Sequence, residues 1–516
     1  MAKRTVVRWI VLGTALAALG LHALWPDGHD VHSTAGAALV PLPGGRGFRI
    51  GSLAFAACEL DQRHSAATTA AFCAPFSVPE NRARPGGRRI DLHLALIRSR
   101  AAVAERDPVV LLAGGPGQAA TASWPQVQGA FAPLLEHRNV LLLDQRGTGG
   151  SHALACSRDP TDFETASTDV VDLEEVRSRT RACLAEIAGT ADPAQYTTSV
   201  ALEDLEAVRQ ALGAPQFDLV GVSYGTRVAQ QYARRHPDAV RSMVLDSAVP
   251  NELVLGSEFA QALDESLKAQ FALCTHTPAC AAAFGDPYAN LYRLRDELRA
   301  HAPTVEYRSP RSYLEQTRTL DASKLASVVR LFAYSAETAA LLPLAIARAQ
   351  EHDYAPLLGQ ADLLAESVED LGGNGMQLSV ICAEDIDLLA DRPQDARLLL
   401  GDVLGPVWRA QCEVWPHGAR PADFHVPFAG TMPVLILSGE FDPVTPPRYA
   451  EAIARNLPNA RVLVASGQGH AVMGRGCLPR LAARFVDTLD AKALDAGCIA
   501  DFGPTPAFTG FNGASP

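Results

Sequence analysis

The stretch "FDLVGVSYGTRVAQQYARRHP", residues 217–237, runs from an apolar segment through a Gly-x-Ser-x-Gly turn straight into a helical pattern. Phe217 to Val222 reads as a short strand buried on both faces, and Thr226 to Arg235 as a helix. Ser223 stands at the junction, with Gly221 before it and Gly225 after it. A chain that passes from strand to helix within so few residues needs small neighbours, because larger side chains would collide. The residue at the apex is held in a strained backbone conformation with its side chain turned outward. A serine placed there is open to attack a substrate. A glycine-rich turn with an incidental serine would look the same in isolation, so the rest of the chain has to decide.

Strand and helix alternate around this turn. Residues 88–98, "RRIDLHLALIR", alternate polar and apolar as a half-exposed strand does. "PVVLLA" (108–113) and "NVLLL" (139–143) are continuous apolar runs, as strands covered on both faces should be. A helical stretch near Trp124 to Glu136 lies between them. A second, Thr198 to Leu212, takes Ser199 as its expected N-cap. "VRSMVLDSAVP" supplies a further strand. The rhythm implies an α/β fold, a mostly parallel sheet with helices on both faces. It stops after Pro250. Residues 251–428 carry helical patterns and no convincing buried strand, and the strands resume at "MPVLILSGEFDPVTP" (432–446) and "ARVLVASGQGHAVMG". A helix at 479–490 follows. The expected organisation is an N-terminal segment (1–30), a first core part (31–250), a large, mostly helical cap insertion (251–428) and a second core part (429–516).

Two residues join Ser223. Asp442 follows the strand "PVLILSGEF", and His470 follows the strand "ARVLVAS". Both lie just beyond the carboxyl ends of expected parallel strands, the edge where open α/β sheets place their sites. The order Ser, Asp, His is the one expected when the serine turn comes first. Serine is a weak nucleophile at neutral pH, so a base must take its proton. Histidine titrates near that pH, and a carboxylate fixes its tautomer. Asp246, after the preceding strand, is a rival acid. Asp442 is preferred because "GEFDPVTP" opens a loop into a helix, whereas Asp246 leads directly into the insertion. His93 and His236 read as ordinary strand and helix-end histidines. An oxyanion needs donors, and "LLAGGPGQAA" ends a buried strand in a Gly-Gly-Pro-Gly turn at 114–117. The N–H of Gly115 and the N–H of Tyr224 are the expected pair. A phosphate cradle is not expected, because the lysine of a Walker sequence is missing.

"GGPG", "LLLDQRGTGGS", "GVSYGTRVAQQYARRHPDAVRSMVLD", "GEFDPVTP" and "GQGH" together resemble the α/β-hydrolase superfamily, and more narrowly its prolyl-aminopeptidase and tripeptidyl-aminopeptidase family of exported serine peptidases. The match runs from about Cys58 to Cys498 and is weakest in the insertion. The resemblance carries the nucleophile to Ser223, the acid to Asp442, the base to His470 and the oxyanion turn to Gly115. It departs at Ala113, where many relatives have His before Gly-Gly. It further implies a cap whose carboxylates hold the free amine of a peptide, and "SVICAEDIDLL" (379–389) offers Glu384 and Asp385. The same pair could instead be a solvated acidic helix start. The implied activity is an aminopeptidase that needs no cofactor or metal and acts on short peptides. A carboxylesterase or amidase acting on small esters or amides would use the same triad. A non-catalytic binding protein on this scaffold is a third class, and loss of a triad residue would be its mark.

Composition sets the setting. The chain has 516 residues and a net charge of −12, with no basic stripe, which argues against a nucleic-acid partner. Lys3, Arg4 and Arg8 precede an apolar run from Trp9 to Trp25. That pattern is an export signal, or an uncleaved anchor, which would be the protein's one contact with a membrane. The expected location is therefore periplasmic or secreted. Ten cysteines, an even number, suit an oxidising compartment. Their spacing suggests the pairs Cys58–Cys73, Cys156–Cys183, Cys274–Cys280, Cys382–Cys412 and Cys477–Cys498. A zinc site is set aside, since there is no C-x-x-C. Disorder is expected only at the ends, such as the closing "GPTPAFTGFNGASP".

Overall fold

The structure, a computed structural model, describes residues 39–61, 68–156, 171–370, 374–510 and 512–514. The N-terminal signal or anchor expected at 1–30 lies outside the described residues. The continuous apolar runs form the middle of one large sheet. Its strands are β1 (Val40–Pro41), β2 (Gly47–Ile50), β3 (Leu53–Asp61), β4 (Thr68–Pro79), β5 (Arg89–Ile97), β6 (Val109–Leu112), β7 (Val140–Leu143), β8 (Phe217–Val222) and β9 (Val240–Asp246). After the small hairpin β10 (Thr304–Arg308) and β11 (Glu315–Thr319), β12 (Val434–Gly439) and β13 (Ala460–Ala465) complete it. The spatial order is β1-β2-β3-β4-β5-β7-β6-β8-β9-β12-β13. Strands β1 to β5 pair antiparallel, as do β5 and β7, and the six from β7 to β13 run parallel.

Alternation along these strands feeds two separate cores. Val110, Leu112, Leu219, Met243, Leu245, Val434 and Ile436 pack on one face. Val109, Leu111, Val220, Val244, Leu435 and Leu437 pack on the other. All are buried, so neither face of the central strands meets water. This is why they lack the polar alternation of an exposed sheet. The inserted helices have a third core of their own, built on Leu263, Leu267, Phe271, Leu291, Leu325 and Leu342.

Four details differ from the sequence-based expectation. The helix Thr198–Leu212 is capped by Thr197, whose extended backbone lets its hydroxyl accept from Val200 N; Ser199 is already inside the helix. The antiparallel strands β1 to β4 extend the sheet beyond the runs read as strands. The insertion holds a hairpin, β10–β11, whose largely exposed polar faces give no buried-strand signal. The closing segment is ordered in part: the Phe508 N–H donates to Ala340 O (2.9 Å), and Gln468 Nε2 donates to Gly503 O (3.3 Å). The segment therefore runs from the loop before His470 to the inserted helices.

The ten cysteines are joined in consecutive pairs: Cys58–Cys73, Cys156–Cys183, Cys274–Cys280, Cys382–Cys412 and Cys477–Cys498. Five disulfides suit an exported protein. Among the described residues no helix is long and apolar enough to cross a membrane.

The helix that follows β8 lies so close to β6 that a side chain at Gly225 has no room: a Cβ there would overlap the carbonyl oxygen of Leu112. Gly225→Ala should therefore lower stability by about 1–3 kcal/mol. Gly129, in the helix Ala120–Phe131, has nothing within 4 Å of its would-be Cβ. Gly129→Ala should raise stability by about 0.5–1 kcal/mol. Urea unfolding of the two variants should give shifts of opposite sign.

Candidate active site

Ser223 occupies the tip between β8 and the helix Tyr224–Arg235 at φ 55°, ψ −124°. A non-glycine residue with positive φ is strained, and three hydrogen bonds hold it there. Its N–H donates to Asp246 O (2.9 Å), and its C=O accepts from Thr226 N (2.9 Å) and Thr226 Oγ1 (2.6 Å). Gly221 and Gly225 make the crossing possible, since a Cβ on Gly221 would press 2.6 Å from Gly225 O. The Ser223 hydroxyl is half-buried and has no protein hydrogen-bond partner among the described residues.

Asp442 and His470 meet. His470 Nδ1 lies 2.8 and 3.0 Å from the Asp442 carboxylate oxygens. Asp442 also accepts from Val444 N (2.9 Å), Thr445 N (2.8 Å) and Thr445 Oγ1 (2.8 Å). Burial alone would raise its pKa. The charge and hydrogen bond of His470, together with those N–H donors, outweigh burial and hold it down at about 2. Burial pulls His470 down, and the charge and hydrogen bond of Asp442 more than offset this, so its pKa is raised. An ionised Asp442 puts the proton on Nδ1 and leaves the Nε2 lone pair free.

Asp246 faces elsewhere. Its carboxylate accepts from Val472 N (2.9 Å) and Met473 N (2.8 Å), just past His470. Burial raises its pKa to about 6. Ser247 Oγ accepts from Ala471 N (2.8 Å), and Ser247 N donates to Leu437 O (2.9 Å). The end of β9 thus fixes the histidine loop on one side and the Ser223 N–H on the other. No hydrogen bond joins Ser223 to His470 in this structure; such bonds are often loose before substrate arrives.

The glycine turn lies against the serine. A Cβ on Gly114 would come 3.2 Å from Ser223 Cβ and 2.8 Å from Gln118 Oε1. Gly115 sits at φ 109°, a conformation reserved for glycine. The Tyr224 N–H opens the helix that starts at Ser223, among the donors that a helix start leaves free.

Glu384 and Asp385 are both buried, 1% and 0% exposed. The Asp385 carboxylate is taken by Arg227 Nη1 (2.9 Å) and Leu255 N (3.2 Å). Glu384 accepts from Thr198 N (2.6 Å) and Thr198 Oγ1 (2.8 Å), and Thr198 Oγ1 lies 2.5 Å from the Tyr224 hydroxyl. Burial, then the charge of Asp385, push Glu384 up to about 8. Sequence reasoning missed Thr445, Ser247 and Tyr334. Tyr334 belongs to the insertion; its carbonyl accepts the His470 N–H (2.8 Å), and its ring meets the imidazole edge-on at 5.1 Å. Only the position of Thr445, three residues after an acid in a turn, could have pointed to one of them.

The fold and this strand-end cluster define the class: the family model for the alpha/beta hydrolase fold matches residues 107–474, and the chain belongs to that family. The chain is similar to the serine protease Hip1 of Mycobacterium tuberculosis, 26% identical over 440 residues that cover 79% of this chain and 82% of that protein. It is also similar to a tripeptidyl aminopeptidase of Streptomyces lividans, 32% identical over 190 residues (34% of this chain, 35% of that protein). A proline iminopeptidase of Neisseria gonorrhoeae is 28% identical over 138 residues, 27% of this chain and 31% of that protein.

The Glu384 carboxyl gives a pH-dependent expectation. Its pKa in the fold, about 8, lies above the ordinary 4.5, so the fold favours its protonated form. That contribution is complete below pH 4.5 and is lost as the pH rises towards 8. Glu384→Gln stays neutral throughout. Its stability relative to the wild type should rise across this window by about 1.4 kcal/mol per pH unit. Urea midpoints at pH 5, 6.5 and 8 measure this, and a flat difference would mean that Glu384 is ionised in the fold.

Proposed function

We propose that this α/β hydrolase is a serine peptidase of the aminopeptidase type, exported from the cell, with Ser223 as nucleophile, His470 as base and Asp442 as the acid that orients it. The observation that carries this reading is the His470–Asp442 contact at 2.8 Å on the same strand-end edge as the strained Ser223 turn. The names of the relatives, a serine protease and two aminopeptidases, support the peptidase class, and five disulfides support export.

The steps are those that a Ser-His-Asp triad performs. Ser223 Oγ attacks the scissile carbonyl as His470 Nε2 takes its proton. The imidazolium that forms is stabilised by Asp442, whose low pKa keeps it ionised. The oxyanion is received by the N–H groups of Gly115 and Tyr224, worth several kcal/mol in a site shielded from water. Collapse expels the amine, which takes the proton from His470. The acyl-enzyme is then hydrolysed by water, with His470 again as base.

The insertion, residues 251–428, acts as the cap that selects the substrate. Glu384 is assigned the free α-amine, because it is a buried carboxylate two hydrogen bonds from Tyr224, the residue next to Ser223. Asp385 is the weaker candidate of the two, since Arg227 occupies it. Glu384 is held neutral until a protonated amine arrives. An N-blocked peptide brings no protonated amine and forgoes this charge-assisted pairing.

A fluorophosphonate should label the wild type and not Ser223→Ala. Asp442→Asn should lower kcat/KM by about four orders of magnitude. Asp246→Asn should cost less, because its carboxylate holds loop backbone rather than the imidazole. The wild type should cleave free-amine peptide amides and reject their N-acetylated forms. Equal turnover of acetylated and free substrates would replace the aminopeptidase reading with an esterase or amidase one, and a greater loss in Asp246→Asn would overturn the choice of acid.

A further inference from the structure

The inserted helix Ala322–Phe332 ends against the histidine, since Tyr334, two residues past its end, both packs on His470 and accepts its N–H. Arg330 lies four residues before Tyr334, about one turn back on the same side of the chain. Its guanidinium stacks on the ring of Phe259, 5.0 Å from the centroid. Phe259 also lines a cavity of about 520 Å³, whose charged lining is largely paired within itself, Arg392 with Asp395 and Arg409 with Asp391, and includes Asp402. Space for part of a ligand therefore begins one side chain away from this cation.

Other partly or fully buried arginines nearby have carboxylate partners. Arg227 pairs with Asp385, Arg392 with Asp395, and Arg448 with Glu258. Arg330 is half-buried and has no ion-pair partner among the described residues. Its charge reaches His470 and works against Asp442 and Asp246 by making the imidazole less basic. A lone cation beside a general base is unfavourable in the empty site. A substrate that brings its own anion removes that penalty.

The side of the site is fixed by chemistry. The histidine that takes the serine proton returns it to the leaving group, so the leaving fragment departs on the histidine side. We propose that Arg330 binds a carboxylate on the leaving fragment of the substrate and so makes the enzyme selective for short, anionic leaving fragments. This rests on the serine-hydrolase reading above. The carboxylate is either the free C-terminus of a short peptide or an acidic side chain on the first leaving residue.

The test measures ratios of kcat/KM with one scissile bond and three leaving residues: alanine as the free acid, alaninamide and aspartic acid α-amide. A pair of esters, 4-nitrophenyl and 3-carboxy-4-nitrophenyl acetate, tests the same preference without a peptide bond. The wild type should favour a carboxylate-bearing leaving fragment by about 10- to 100-fold, the range of a charge-assisted hydrogen bond. The free acid alone identifies a terminal carboxylate, and the aspartyl amide alone identifies a side chain. In Arg330→Gln and Arg330→Met the ratio should fall towards one, while Arg330→Lys keeps part of it. A wild-type ratio near one, or a ratio that survives in Arg330→Gln, overturns the assignment even if every peptide is cleaved. If no peptide is cleaved but the esters show an Arg330-dependent preference, the peptidase reading falls and the carboxylate site stands. Should Arg330→Gln fail to fold, the wild-type ratio and Arg330→Lys still decide.

Discussion

Asp246 holds the two halves of the site in one frame. Its backbone carbonyl takes the N–H of Ser223, and its carboxylate takes the N–H groups of Val472 and Met473. The nucleophile turn and the histidine loop are more than two hundred residues apart in the chain, and this single buried residue touches both. The arrangement is costly, because a buried carboxylate loses its hydration and Asp246 titrates near 6 as a result. Two backbone donors offset part of that loss. The positions of Ser223 and His470 therefore depend on the end of β9, not on a direct bond between them.

Two of the ties between the insertion and the core lie close to this frame. Arg227, fully buried on the helix behind Ser223, reaches Asp385 of the insertion. Breaking such a pair by removing one partner costs about 3–5 kcal/mol. In the other, Tyr334 rests on His470. A helical segment with its own core thereby contacts both the helix that follows Ser223 and the His470 ring.

Much of this was legible in the sequence, for physical reasons that also mark where it stopped. Strands β6, β7, β8 and β12 read clearly because both faces are buried, which demands unbroken apolar runs. Strands β3 and β4 did not, because their mixed burial and alanine-rich composition blur the alternation. Thr197 and Ser199 offer a hydroxyl two residues apart, and only the backbone angles of the helix start tell them apart. Asp246 ends β9, and Asp442 follows the end of β12 by three residues. Which one turns its carboxylate to the imidazole is decided by the loops packed around them, not by local pattern. Tyr334 sits in the insertion, and its place against His470 is a tertiary fact with no short-range signal.

The disulfides carry a consequence for biogenesis. Each links a cysteine to the next one along the chain, with separations of 6 to 30 residues. Of the many hundreds of ways to pair ten thiols, this is the one produced when a chain is oxidised in the order in which it emerges. Each bond can close before the next pair of thiols appears. Secretion from the N-terminus would then write the correct connectivity directly, with no shuffling required. The long detour of the insertion, which separates Ser223 from Asp442 and His470, would place no burden on oxidation, because no bridge spans it.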